Sequence, residues 1–144
     1  MTATNLALDR WALRDLVEAY AIAADERDAV AFAGVFTVEG ELHTGARTLI
    51  GHEALAAIPA LLGQLYERTL HFVGNHRATV RADEAEGLTY CLAHHLACHD
   101  SGDDGNDTLM LIRYRDRYQR TAQGWRIARR DVEIDWQERR PIQM

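Results

Sequence analysis

Asp25 is a carboxylate where its neighbours require an apolar side chain. Val17, Ala21 and Asp25 follow at four-residue steps, so the acid closes the buried stripe of a helix. An unpaired carboxylate there costs several kcal/mol. It therefore protonates, meets a partner, or turns its oxygens to water at the helix end. His71, in the stretch Thr69-Leu70-His71-Phe72-Val73-Gly74-Asn75, is a strand histidine that alternation groups with Val73 and Asn75. Against Asp25, one ring nitrogen would be held as N–H and the other left free as a base. The carboxylate would also stabilise the imidazolium formed on proton abstraction. Apart from each other, both are ordinary structural residues.

A second histidine follows in Cys91-Leu92-Ala93-His94-His95-Leu96-Ala97. One strand face carries Cys91, Ala93, His95 and Ala97, and the other carries Leu92, His94 and Leu96. Small residues leave space and leucines fill it, so His95 is expected to line a cavity unless a bulge swaps the faces. In Trp125–Trp136 the apolar residues shift from odd to even positions within Ala128-Arg129-Arg130-Asp131, which predicts a bulge or a change of exposed face there. Arg130 then shares phase with Val132, Ile134 and Trp136, pointing a cation into the cavity or pairing with Asp131 or Glu133 outside.

Metal chemistry finds little support. His95 and His99 are ~13 Å apart at strand rise, and His94 and His95 point to opposite faces. The acidic stretch Asp100–Asp107 lacks the final glutamate of a calcium loop. No Gly-rich phosphate loop or nucleophile elbow is present, so no metal and no organic cofactor is expected.

These residues need elements to hold them. Leu13, Leu16, Val17, Tyr20, Ala21 and Ala24 predict a helix over Leu8–Ala24, and Asp28 caps a short one through Ala29–Phe36. A short strand over Glu39–His43 and a turn at Gly45 follow. The segment after Gly51 is helical, as one helix or as two divided at Pro59. Strands are then expected over Leu70–Ala82, Glu86–His99, Thr108–Arg120 and Trp125–Trp136, joined as hairpins. Helices before an antiparallel meander predict one α+β domain over 1–144, its helices packed on one face of a curved sheet.

At 144 residues, 47% hydrophobic and 26% charged, the chain can bury one core. Its net charge of -6 argues against nucleic acid or an anionic membrane as partner. No signal-like start or bilayer-length apolar run is evident, and Cys91 and Cys98 would point to opposite strand faces. A disulfide is therefore not expected, and the cytoplasm is the default location. All sixteen basic residues are arginine, the mark of a GC-rich, bacterial coding sequence.

Taken in order, Ala24-Asp25, His71-Phe72-Val73-Gly74-Asn75, Tyr118, Gly124-Trp125-Arg126-Ile127 and Trp136 resemble the SnoaL-like branch of the nuclear transport factor 2 superfamily. Scytalone dehydratase and hexachlorocyclohexane dehydrochlorinase belong to that branch. The resemblance implies a cone-shaped α+β barrel around an apolar pocket. It also implies a catalytic pair of Asp25 and His71, with His95 as second histidine. A halide-assisting arginine would fall near Arg130. Tyr20 stands where the dehydrochlorinase has lysine, and Ala24 where scytalone dehydratase has tyrosine, so neither substrate is carried over. The superfamily spans proton-transfer enzymes, polyketide cyclases and non-catalytic modules. The expectation is a cofactor-independent lyase or isomerase for a small, apolar, cyclic substrate. Tyr20, Arg130, Asn75 and Trp136 would bind that substrate. A ligand-binding or subunit-association module is the alternative, and a homo-oligomer, dimer or trimer, is expected through the outer sheet face.

Overall fold

The computed structural model describes residues 2–97 and 105–143. Helix α1 spans Ala3–Asp25, with the Thr2 hydroxyl accepting from the Asn5 N–H as its N-cap. It starts five residues before the expected Leu8, because its first turns are mostly exposed and carry no periodicity. Asp28 caps α2 (Ala29–Gly34) by accepting from the Ala31 N–H, as its type and place require. Strands β1 (Phe36–Thr44) and β2 (Arg47–Ile50) form a hairpin turned at Gly45, whose φ of 57° suits glycine. The helical segment is divided: α3 is Gly51–Ala56 and α4 is Ile58–Leu65, with Pro59 in the first turn of α4. Four long strands follow: β3 (Arg68–Arg81), β4 (Glu84–Ala97), β5 (Asn106–Thr121) and β6 (Gly124–Pro141).

The six strands form one sheet in the order β2-β1-β6-β5-β4-β3. All pairs are antiparallel except β1 with β6. The sheet is curved but open, its edges being β2 and β3, so the fold is an α+β cone rather than a closed barrel. The helices fill its concave side. Leu13 and Val17 of α1 meet Phe32, Phe36, Leu55 and Ile127 there, all at most 1% exposed. Each such burial contributes about 1.5–3 kcal/mol, and that apolar surface holds helices to sheet.

Bulges decide which side chains face the helices. β3 carries Gly74 and Asn75 opposite Tyr90, between the pairs Val73↔Cys91 and His76↔Thr89. Arg14 of α1 clamps this bulge by donating to the Gly74 and Val73 carbonyls. β6 has an extra residue at Ala128, inside the segment where the apolar phase changes, and another at Asp135. The second bulge was not legible in the sequence, and it turns Trp136 to the other face.

Near the start of α1, Arg120 grips Asp9 bidentately at 2.8 and 2.9 Å, and the Trp125 indole N–H donates to the same carboxylate. The Arg120 hydrogen bonds outweigh burial and hold the Asp9 carboxyl below its usual range. This clamp fixes the start of α1 to the β5–β6 hairpin. Among the described residues no helix is long and apolar enough to cross a membrane.

Candidate active site

Asp25 is the last residue of α1, and a turn closes the helix directly behind it. The Arg27 N–H donates to the Ala24 carbonyl and the Asp28 N–H to the Ala23 carbonyl, with Arg27 itself at φ 59°. That is a Schellman closure with arginine at the left-handed position usually given to glycine. It aims Asp25 at β3. The His71 Nδ1 lies 2.7 Å from Asp25 Oδ1, and the His71 backbone N–H donates to Oδ2 at 2.8 Å. The Thr69 hydroxyl donates to Oδ1 at 2.9 Å. Burial alone would raise the Asp25 pKa, but three donors outweigh it and hold the carboxyl below its usual range. The acid stays ionised, accepts the Nδ1 proton, and leaves His71 Nε2 without a partner among the described residues.

His71 opens onto a cavity of about 280 Å³ under α4. Leu61, Leu62 and Leu65 of α4 form one wall, and Tyr20, Phe32 and Tyr114 lie opposite. His95 lines the same cavity, its ring centroid 5.6 Å from that of His71 and 4.7 Å from that of Tyr66. Its Nδ1 sits 3.1 Å from two carbonyl oxygens, those of Ala93 and Thr108. Carbonyls only accept, so Nδ1 carries the proton and Nε2 is a bare acceptor. Burial pushes the His95 pKa down, despite the two carbonyls, and the ring rests neutral.

His76, on the same face of β3, is also lowered, first by burial and then by the Arg14 charge. For both histidines the unfolded chain takes up a proton near the ordinary value of 6.5, while the folded chain resists it. Stability is therefore full above that value and declines as pH falls below it toward the depressed folded values. Urea midpoints measured from about pH 8 down to about pH 5 should fall, and His95→Gln should flatten the fall. A midpoint that rises on acidification would contradict this burial.

Tyr20, on the buried stripe of α1, lines the cavity, and burial keeps it a protonated phenol by raising its pKa. Three other expectations require correction. Arg130 does not reach into the cavity. It is fully buried behind Tyr20 and Tyr114, its guanidinium carbon 4.2 and 4.0 Å from their rings, and it pairs bidentately with Asp116 at 2.8 and 2.7 Å. Asp116 is its register partner across β5–β6, which draws it there rather than toward Asp131 or Glu133. Asn75 is exposed on the outer face because the β3 bulge reverses the alternation after Val73. Trp136 is outside as well, 57% exposed, past the bulge at Asp135.

Thr69, Arg27 and Tyr66 were missed. Thr69 could have been found, since it precedes His71 by two residues on the same strand face. Arg27 could not, because its place depends on the left-handed turn. Among the described residues no group of three or more histidine, cysteine or acidic side chains could hold a metal ion. His99, Cys98 and most of the acidic stretch lie outside the described residues. Cys91 is buried, and burial pushes its thiol up to about 11.

This architecture has many solved relatives. A crystal structure of hexachlorocyclohexane dehydrochlorinase (LinA) type 2 is similar at TM-score 0.83 and 21% identity, over 99% of this chain and 94% of that one. A provisional scytalone dehydratase from Novosphingobium aromaticivorans DSM 12444 is similar at 0.81 and 21%, over 96% and 91%. An NTF2-like protein with a cystatin-like fold, from Novosphingobium aromaticivorans, shares 28% identity at 0.74, over 93% and 90%. No curated protein matches the chain by sequence. The SnoaL-like domain family, however, matches residues 5–131, from the first turn of α1 into the first half of β6. The chain belongs to the SnoaL-like family and has its nuclear transport factor 2-like α+β cone fold.

Proposed function

We propose that this protein is a cofactor-independent lyase or isomerase that removes a proton from a small, mostly apolar, cyclic substrate. One observation carries the proposal: a histidine in an apolar cavity has Nδ1 tied to an ionised carboxylate and Nε2 free. His71 Nε2 takes the proton from a carbon next to an activating group. Asp25 keeps the ring in the useful tautomer and stabilises the imidazolium. Tyr20, a neutral phenol, donates to the oxygen or leaving group where negative charge develops. His95 offers its bare Nε2 to a substrate hydroxyl, so in its resting state it accepts rather than donates. Arg130 acts from behind, through the two tyrosine rings it holds.

A likeness to dehydrochlorinase and dehydratase folds is compatible with elimination, and it leaves the substrate open. The experiment is a screen of cyclic hydroxyketones, polyketide intermediates, steroids and halogenated rings, read by ultraviolet change and deuterium uptake at the activated carbon. Turnover or exchange that needs His71 supports a base. Binding without exchange across the whole panel would favour a non-catalytic ligand-binding module instead.

The outer face supports self-association. Leu70, Phe72, Leu92 and Trp136 are 41–63% exposed on one side of the sheet. The ion pairs Arg113–Asp135 and Arg115–Glu133 flank them. A contiguous apolar face with a charged rim fits a second copy of the chain. Light scattering should therefore give a dimer or trimer, and Trp136→Arg should shift it toward monomer. A wild-type mass of one 16.3 kDa chain at micromolar concentration would overturn the association.

A further inference from the structure

We infer that Arg27 and Thr69 are positioning residues that act through Asp25 to fix the His71 ring, an inference that rests on reading His71 as the base. Arg27 Nη1 lies 2.7 Å from the Ala24 carbonyl oxygen and 2.8 Å from Thr69 Oγ1. It has two hydrogens and two acceptors, so both are committed and the guanidinium is held between α1 and β3. A threonine hydroxyl has one proton. Because its oxygen already accepts from Arg27, that proton is aimed onward, to Asp25 Oδ1 at 2.9 Å. Asp25 Oδ1 then receives Thr69 and the His71 ring, while Oδ2 receives the His71 backbone. With all three bonds made, the carboxylate has one orientation, and so has the imidazole.

The backbone at Arg27 argues that the guanidinium matters more than the turn. A non-glycine residue at φ 59° is held in a sparsely populated conformation, which costs stability. Glycine would satisfy the same Schellman closure without that cost. A role confined to closing the turn would therefore be served better by glycine. Arginine there is explained by its reach to Thr69.

Arg27→Gly separates the two roles, and Thr69→Val with Thr69→Ser tests the next link. The first readout needs no substrate: nitrogen-15 and proton NMR of the His71 imidazole in the free protein. Wild type should show the Nδ1–H tautomer with a slowly exchanging, downfield proton. Arg27→Gly should keep the native fold, the relieved backbone offsetting part of the two lost hydrogen bonds, yet both it and Thr69→Val should show mixed tautomers and a faster-exchanging ring proton. Thr69→Ser should restore the wild-type spectrum. The second readout is kinetic, on whichever ring in the panel wild type converts fastest: kcat should drop about tenfold or more with KM little changed. A wild-type His71 tautomer and exchange rate in both Arg27→Gly and Thr69→Val overturns the inference. A disturbed tautomer in a protein that converts nothing in the panel leaves the positioning intact and removes only the catalytic reading.

Discussion

Arg130→Met is expected to lower folding stability by about 3–5 kcal/mol, the usual loss when one partner of a buried ion pair is removed. Arg130 and Asp116 have fully buried side chains, and in the variant the Asp116 carboxylate keeps only the Tyr118 hydroxyl, 2.8 Å away. Burial opposes the arginine's charge, but Asp116 outweighs it and holds the guanidinium's pKa above its ordinary value. Space tightens the constraint. A Cβ at Gly87 would stand 2.7 Å from the Tyr118 ring, so the tyrosine packs directly on the β4 backbone and cannot shift to compensate. For a chain of this length the thermal midpoint should fall by about 10 °C or more. The double variant Asp116→Leu/Arg130→Met should recover most of that loss, since an apolar pair leaves no orphaned charge. A single variant that melts with wild type would show that water reaches the pair.

Asp25→Asn is expected to lower turnover by about a hundred- to ten-thousand-fold while leaving the fold in place. The carboxylate accepts from the His71 ring, the His71 backbone and Thr69. An amide has one accepting oxygen, and its NH2 must face at least one of those donors. The imidazole can relieve the clash by taking its proton on Nε2, which then faces the cavity as a donor and can no longer serve as a base. KM should move little, because the α4 leucines and the tyrosines that wall the cavity are untouched. Circular dichroism should match wild type. Undiminished turnover would mean that His71 needs no orienting acid.

The helices and the four long strands were legible because each rests on local periodicity, whereas spacing left the pairing of Asp25 with His71 open and only the family resemblance implied it. Asp25 betrayed itself by sitting on an apolar stripe, and His95 by the small residues around it. What failed was the alternation beyond two bulges. The bulge at Gly74–Asn75 and the bulge at Asp135 each reverse the alternation without an apolar residue to mark it, and they carried Asn75 and Trp136 to the wrong face. Phase left Arg130 either inside or paired at the surface, and its actual partner, Asp116, belongs to the neighbouring strand, so only register brings the two together. β2 escaped because four mostly exposed residues carry almost no pattern.

The most direct measurement is hydrogen–deuterium exchange at the activated carbon of a cyclic ketone or halogenated ring from the panel, followed by NMR with wild type and with His71→Ala. The account predicts exchange by wild type and a loss of a hundredfold or more in His71→Ala, the size of a missing general base, with an unchanged melting temperature. Exchange by His71→Ala at the wild-type rate would contradict it.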